Sequence, residues 1–173
     1  GLMKLGADFT YDRENHFYSV ETDRLQGAYL LLDEASVTGT ANLVMAAVLA
    51  KGTTTIYNAA CEPYLQQLCS MLNRMGAKIS GIGSNRLTIE GVERLSGTSH
   101  RILPDMVEIG SWIGLAALTR SELKIKNVSW DDLGQIPNVF RKLGIKVERQ
   151  KDNIYIPAHS DGYEVQSFID GSI

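Results

Sequence analysis

Apolar and polar positions along this chain follow two rhythms, one of period two and one of period near three and a half. Ala28 to Leu32 is a short apolar run and predicts a strand. Ala41 to Ala50 is apolar on every side, which predicts a helix buried all round, with Gly52 as the residue that closes it. "TTTIYN" (53–58) is β-branched and alternating, a strand. In "EPYLQQLCSMLNRMG", Leu65, Leu68, Leu72 and Met75 recur at helical spacing and predict an amphipathic helix ended by Gly76. "AKISGI" and "RLTIEG" predict a hairpin about the "GSN" turn at 83–85. The order is strand, buried helix, strand, amphipathic helix, strand, strand.

That order returns after about seventy residues, the mark of an internal repeat. "MKLGADF" (3–9), "NRMGAKI" (73–79) and "RKLGIKV" (141–147) align on Gly6, Gly76 and Gly144. "LQGAYLLLD" (25–33) recurs as "LSGTSHRILPD" (95–105), and "NLVMAAVLAKGTTTIYN" (42–58) as "WIGLAALTRSELKIKN" (112–127). The second copy therefore reads as the same order from Arg101 to Ile156. Ile109 to Leu118 is its all-apolar helix, and Leu133, Ile136, Phe140 and Leu143 are its amphipathic stripe. Pro137 inside the stripe predicts a kink there or a helix that begins near it. Residues 1–29 read as the tail of an earlier copy and 157–173 as the opening strand of a later one. Partial copies at both ends read as a piece of something longer.

Composition narrows the class. A chain of 173 residues with 44% hydrophobic and 21% charged residues is globular rather than disordered. Net charge is -3, and no basic cluster exceeds "RK" at 141–142, so nothing predicts nucleic-acid binding. The longest apolar run, Leu43 to Ala50, is far short of the ~20 residues of a membrane span. Cys61 and Cys69 stand about 12 Å apart if helical, too far for a disulfide, and read as free thiols. His16, His100 and His159 lack metal-ligand spacing, so no metal is expected. Trp112 and Trp130 read as core anchors.

The segment with chemical promise is "SVTGTANL" (36–43). Thr38 or Thr40 can cap the coming helix, and Gly39 lets the backbone approach a neighbour closely. The free amides and dipole at a helix start favour an anion such as phosphate. From the pattern alone capping is the better account, since many helices begin with Thr and Gly and bind nothing, and the anion reading stays open beside it. Asp105 and Glu108, before the second apolar helix, are explained by capping.

"SVTGTAN", "GTTTIYNAACEP", "MGAKISGIG", "IEGVERL" and "LPDMVEIG" together resemble the UDP-N-acetylglucosamine 1-carboxyvinyltransferase family, along essentially the whole chain. The resemblance implies an α/β (α+β) fold of repeated βαβαββ units, the enolpyruvyl transferase inside-out α/β barrel. This chain would supply two near-complete units plus partial flanking units. Residues 1–103 would be the C-terminal part of the nucleotide-sugar domain, and 104–173 the first repeat of the second domain, with a hinge near 103–106. The implied reaction moves the enolpyruvyl group of phosphoenolpyruvate onto the 3-hydroxyl of UDP-N-acetylglucosamine, a cytoplasmic step that opens peptidoglycan synthesis, without metal or organic cofactor.

Carried over residue by residue, the family's nucleotide-sugar contact falls on Glu34, Ala35, Ser36 and Val37, with Thr38 adjacent. Backbone amides there would face the diphosphate. Glu34 stands where some members have lysine, and Thr38 where glycine is common. Met106 stands where many members have arginine, and Cys61 where arginine is frequent, so neither inherits a role. The family's reactive cysteine lies in a glycine-rich loop that matches the setting of neither Cys61 nor Cys69. No catalytic residue is therefore expected in this chain, and the isolated chain is expected to be inactive. Two other readings are a non-catalytic repeat-fold scaffold and a transferase like 5-enolpyruvylshikimate-3-phosphate synthase. Strand edges left unpaired would invite chain–chain association.

Overall fold

Gly6, Gly76 and Gly144 each end a helical segment with the same pair of hydrogen bonds. The glycine amide reaches back three residues (to Met3, Asn73 and Arg141) and the next amide reaches back five (to Leu2, Leu72 and Phe140), all at 3.0–3.1 Å. This is the Schellman closure, and it needs the left-handed backbone seen at all three, φ +90°, +106° and +83°. The seventy-residue period is thus a period of backbone geometry. The computed structural model of the chain describes residues 1–159 and 162–166. Its contacts divide into two units, Gly1–Ile102 and Leu103–Ile173.

The first unit opens with a 3-10 turn at Leu2–Leu5 and a hairpin, β1 (Asp8–Asp12) and β2 (Phe17–Glu21). The repeat follows in the expected order: β3 (Tyr29–Leu31), α1 (Val37–Ala47), β4 (Thr53–Tyr57), α2 (Pro63–Arg74), β5 (Lys78–Ser80) and β6 (Arg86–Glu90). The sheet runs β3-β4-β6-β5, with β3 and β4 parallel and the other pairs antiparallel. Register puts Leu30 beside Ile56, Ile56 beside Leu87, and Ile79 beside Ile89, so one face is apolar but for the buried Thr54 opposite Ile89. These side chains pack with Val44 and Ala47 of α1 and Leu65, Cys69 and Leu72 of α2. Truncating one of them, Ile56 for instance, removes about 2–5 kcal/mol in a well-packed core. Asn73 guards the sheet edge: its side-chain amide donates to the Ile79 carbonyl, and its carbonyl oxygen accepts the Ile79 amide, both at 2.8 Å.

The second unit comprises α3 (Met106–Thr119), β7 (Leu123–Ile125), a 3-10 turn at Trp130–Asp132, α4 (Ile136–Lys142), β8 (Glu148–Gln150) and β9 (Asn153–Ile156). Its sheet, β7-β9-β8, is antiparallel. The expected first strand near Arg101 is missing among the described residues. Pro104 has no amide to give a ladder, and the Arg101 carbonyl accepts the Gln67 side chain at 2.9 Å. Pro137 lies in the first turn of α4, so the helix begins near it and is not kinked; Leu133, in the preceding turn, is buried. The opening strand expected within 157–173 is not seen at 157–159 or 162–166, and the rest of that segment lies outside the described residues.

Three further expectations change. Neither apolar helix is buried all round: Met45 and Leu49 are exposed at α1, and Trp112, Leu115 and Leu118 on α3. Each helix touches its sheet along one stripe only. Trp112 is therefore no core anchor; it is 45% exposed, and its indole N–H donates to Glu108 Oε1 at 3.4 Å. Trp130 is partly buried, with the Arg149 guanidinium 5.3 Å from its ring centre. Gly52 does have left-handed backbone, φ +91°, but α1 already ends at Ala47, and Gly52 instead shapes the entry to β4.

Candidate functional site

Parallel strands end at the same edge of a sheet, so the loops after β3 and β4 emerge together. Ligands of open α/β sheets bind in this position, outside the carboxyl ends of parallel strands. Asn58 Nδ2 donates to the Leu32 carbonyl at 3.0 Å, and the Ala60 amide donates to Thr40 Oγ1 at 3.1 Å. Asn58 sits at φ +60°, a left-handed position asparagine tolerates better than most residues. The loop at 32–36 leads into α1 and the loop at 58–62 into α2.

The helix start itself differs from the expected one. Ser36, not Thr38 or Thr40, is the cap: its backbone is extended, and its Oγ accepts the Gly39 amide at 3.2 Å. The amide three residues on is the one a capping hydroxyl reaches, and Ser36 has that spacing to Gly39. Thr40 is one turn inside, fully buried, with its hydroxyl donating to the Ser36 carbonyl at 2.7 Å. Glu34, Ala35 and Thr38 are exposed, while Ser36 and Val37 are half-buried, Val37 packing on the core. The Ser36 amide donates to the Glu34 carbonyl at 2.9 Å. Amides of the first helical turn, here Val37 and Thr38, have no intrahelical acceptor. No acid stands in the first turn of α1; the exposed Asp33 and Glu34 lie in the loop before it.

The start of α3 carries acids where α1 has none. Asp105 caps it, Oδ1 accepting the amides of Val107 at 2.8 Å and Glu108 at 3.2 Å, and Glu108 adds a second acid. The Asp105 carboxylate already occupies the ground an anion would take. Met106 opens the helix and packs on the second core.

The remaining candidates fall apart in space. Cys69 is 1% exposed, and burial pushes its thiol up to about 11, which leaves it protonated and inert. Cys61 is exposed just before α2, its carbonyl accepting the Gln66 side chain at 2.7 Å. His159 accepts the Lys146 amide at 3.3 Å and lies 4.8 Å from the Tyr163 ring. Among the described residues no three His, Cys, Asp or Glu side chains are placed to hold a metal ion. A cleft of about 330 Å³ runs beside α1, lined by Leu2, Met3, Phe9, Gly39, Asn42 and Leu43 among others. No lining side chain is charged, so it suits apolar contact rather than a diphosphate. Among the described residues no helix is long and apolar enough to cross a membrane. Sequence reasoning missed Asn58 and the role of Thr40. The signal for both was present only as small polar residues flanking an apolar element.

Comparison with known proteins places these features in a family. The family model described as EPSP synthase (3-phosphoshikimate 1-carboxyvinyltransferase) matches residues 1–169. Over all 173 residues the chain is 70% identical to the UDP-N-acetylglucosamine 1-carboxyvinyltransferase of Bacteroides thetaiotaomicron, and 61% identical to that of Porphyromonas gingivalis. It spans 40% of the length of either relative. Among solved structures, the enolpyruvyl transferase NikO from Streptomyces tendae superposes with a TM-score of 0.73 at 18% identity, over 90% of this chain and 40% of that one. EPSP synthase from Acinetobacter baumannii gives 0.64 at 20% identity, over 91% and 38%. Similarity at that level establishes the fold alone: this is the enolpyruvyl transferase fold.

Proposed function

The chain belongs to the EPSP synthase family, and from that premise we propose that it is an internal segment of a UDP-N-acetylglucosamine 1-carboxyvinyltransferase. The observation that carries the reading is identity of 70% along the whole chain, with no part of the segment left out. The parent enzyme transfers the enolpyruvyl group of phosphoenolpyruvate to the 3-hydroxyl of UDP-N-acetylglucosamine in the cytoplasm, and releases phosphate. Residues 1–103 belong to the nucleotide-sugar domain, 104–173 open the second domain, and the chain passes between them near 103–106.

In this reading the segment binds and orients rather than reacts. The amides at Val37 and Thr38 meet the diphosphate, and Glu34, Ala35 and Ser36 contribute backbone along the same edge. A neutral cap and an acid-free first turn support that assignment, because the dipole at this helix start is left uncompensated. The exposed carboxylate of Glu34 points away from such a role, so its contribution is main chain only. Proton transfer and bond making fall to residues elsewhere in the parent. The isolated segment is therefore expected to release no phosphate from the two substrates in a coupled assay.

Val37→Pro tests the diphosphate contact in the complete transferase. Proline at the first helical position is tolerated, and Ser36 already has the extended backbone that a residue before proline requires (φ -77°, ψ 124°). The substitution deletes one amide and exchanges a half-buried valine side chain packed on the core for the proline ring. Losing a charge-assisted hydrogen bond predicts UDP-N-acetylglucosamine binding weakened about tenfold or more by titration calorimetry. Unchanged affinity in a folded variant refutes the contact.

A further inference from the structure

We infer that Thr40 is a positioning residue for the nucleotide-sugar diphosphate: its buried hydroxyl fastens the start of α1 to the loop that opens α2. The inference rests on the reading proposed above. The hydroxyl has one proton, which goes to the Ser36 carbonyl at 2.7 Å, and a lone pair, which accepts the Ala60 amide at 3.1 Å. The Thr40 amide also donates to the Ser36 carbonyl, at 2.9 Å, so that carbonyl is held twice. A peptide unit is rigid and planar, with its N–H trans to its C=O. Pinning Ser36 O therefore aims the Val37 N–H, one of the amides assigned to the anion, outward from the helix start. The Ala60 bond then ties that aim to the neighbouring loop, where Ala59 and Ala60 are each 2% exposed.

The fold by itself does not demand this clamp. Four residues past the cap of α3 stands Ile109, buried and apolar, and that helix forms without any such bridge. Nor does a buried threonine need two partners here: Thr54 is equally buried, and its hydroxyl has none among the described residues. A hydroxyl that is kept at Thr40 and satisfied on both sides, next to the one acid-free helix start of the two apolar helices, fits a demand for orientation.

Thr40→Val in the complete transferase replaces the hydroxyl with a methyl of the same shape. The expected result is a KM for UDP-N-acetylglucosamine raised about tenfold, with the KM for phosphoenolpyruvate and kcat within about twofold. Thr40→Ser keeps the hydroxyl and is expected to restore the nucleotide-sugar KM to within about twofold of the parent. A Thr40→Val enzyme with unchanged nucleotide-sugar KM overturns the inference, as does equal impairment by valine and serine or an equal rise in both KM values. Loss of binding in Val37→Pro alongside normal Thr40→Val removes the clamp but keeps the diphosphate contact; normal binding in Val37→Pro removes the contact itself. If Thr40→Val does not fold, amide hydrogen exchange on the parent decides. The Ala60 and Thr38 amides are expected to gain protection together on adding UDP-N-acetylglucosamine, and an Ala60 amide indifferent to the ligand overturns the coupling.

Discussion

The two units solve the same backbone problems with different side chains. Asn58 and Asn127 both take left-handed backbone after their strands, at φ +60° and +56°. The amide after each donates across to the later turn, Ala59 to Asn85 at 2.9 Å and Val128 to Asp152 at 2.8 Å. At the sheet edge, Asn73 satisfies both main-chain groups of Ile79, while at the matching place Arg141 reaches only the Val147 carbonyl, by two N–H groups at 3.0 and 3.3 Å. The sharpest divergence is at the apolar helices. α1 starts with a neutral serine cap and no acid in its first turn, whereas α3 starts with Asp105 and Glu108. Either cap satisfies the backbone, so both helices are stable. Only the first has no carboxylate on its cap or in its first turn, its nearest acids being Asp33 and Glu34 in the loop before it. Duplication kept the geometry and let charge distinguish the copies.

That contrast breaks most easily at the caps. Ser36→Asp gives α1 the cap of α3: the helix stays capped, but a carboxylate now stands where the diphosphate is assigned. Affinity for UDP-N-acetylglucosamine in the complete transferase is expected to fall roughly 100-fold, about 2.7 kcal/mol, by calorimetry. Asp105→Ser, the reciprocal change, is expected to leave that affinity alone. Equal losses from both would show that cap charge does not separate the units.

A smaller effect sharpens the shared geometry. Gly76→Ala strains a left-handed position with open space around it, at a cost of about 1 kcal/mol. Gly144→Ala meets the same strain and also places a Cβ 2.6 Å from the Glu164 carbonyl oxygen, so it is expected to cost about 2–3 kcal/mol. Denaturant midpoints should rank the two in that order. Comparable midpoints would mean that the segment around Glu164 yields freely.

The smallest effect belongs to Cys69 and so to the first unit alone. Burial raises its folded-state pKa to about 11 from an ordinary value of 9.0. The folded state thus holds the thiol proton more tightly than the unfolded state. Its contribution is fully present below pH 9 and is lost as pH rises from 9 towards 11. Stability measured across that window should fall more steeply in the parent than in Cys69→Ala. In the folded protein at neutral pH, iodoacetamide is expected to label exposed Cys61 and spare Cys69. Rapid labelling of both would contradict the burial.

Local rules carried far at glycines and stripes. Leu65, Leu68 and Leu72 lie on the apolar side of one helix, Gly76 and Gly144 close theirs, and Pro137 stands at a helix start, because period, left-handed backbone and a missing amide act within a few residues. The strand expected near Arg101 failed for want of a partner, since a strand is made by its neighbours and not by its own apolar content. Trp112 and Leu118 failed differently. An apolar helix announces that it can be buried, but what covers each side depends on elements packed against it.

At the candidate site the division is the same. That a helix begins at "SVTGT", and that its start suits an anion, follows from Ser, Thr and Gly in order before an apolar run. Which hydroxyl caps and which one clamps depends on where Ala60 lies, twenty residues away in the chain and 3.1 Å away in space. The sequence by itself determined the repeat, the element order of the first unit and the family, since these rest on local backbone preferences and on matches along the chain. Tertiary structure alone decided that Ser36 caps α1 and that Thr40 joins two loops, because hydrogen bonds act through space at a few ångströms and register no distance along the sequence.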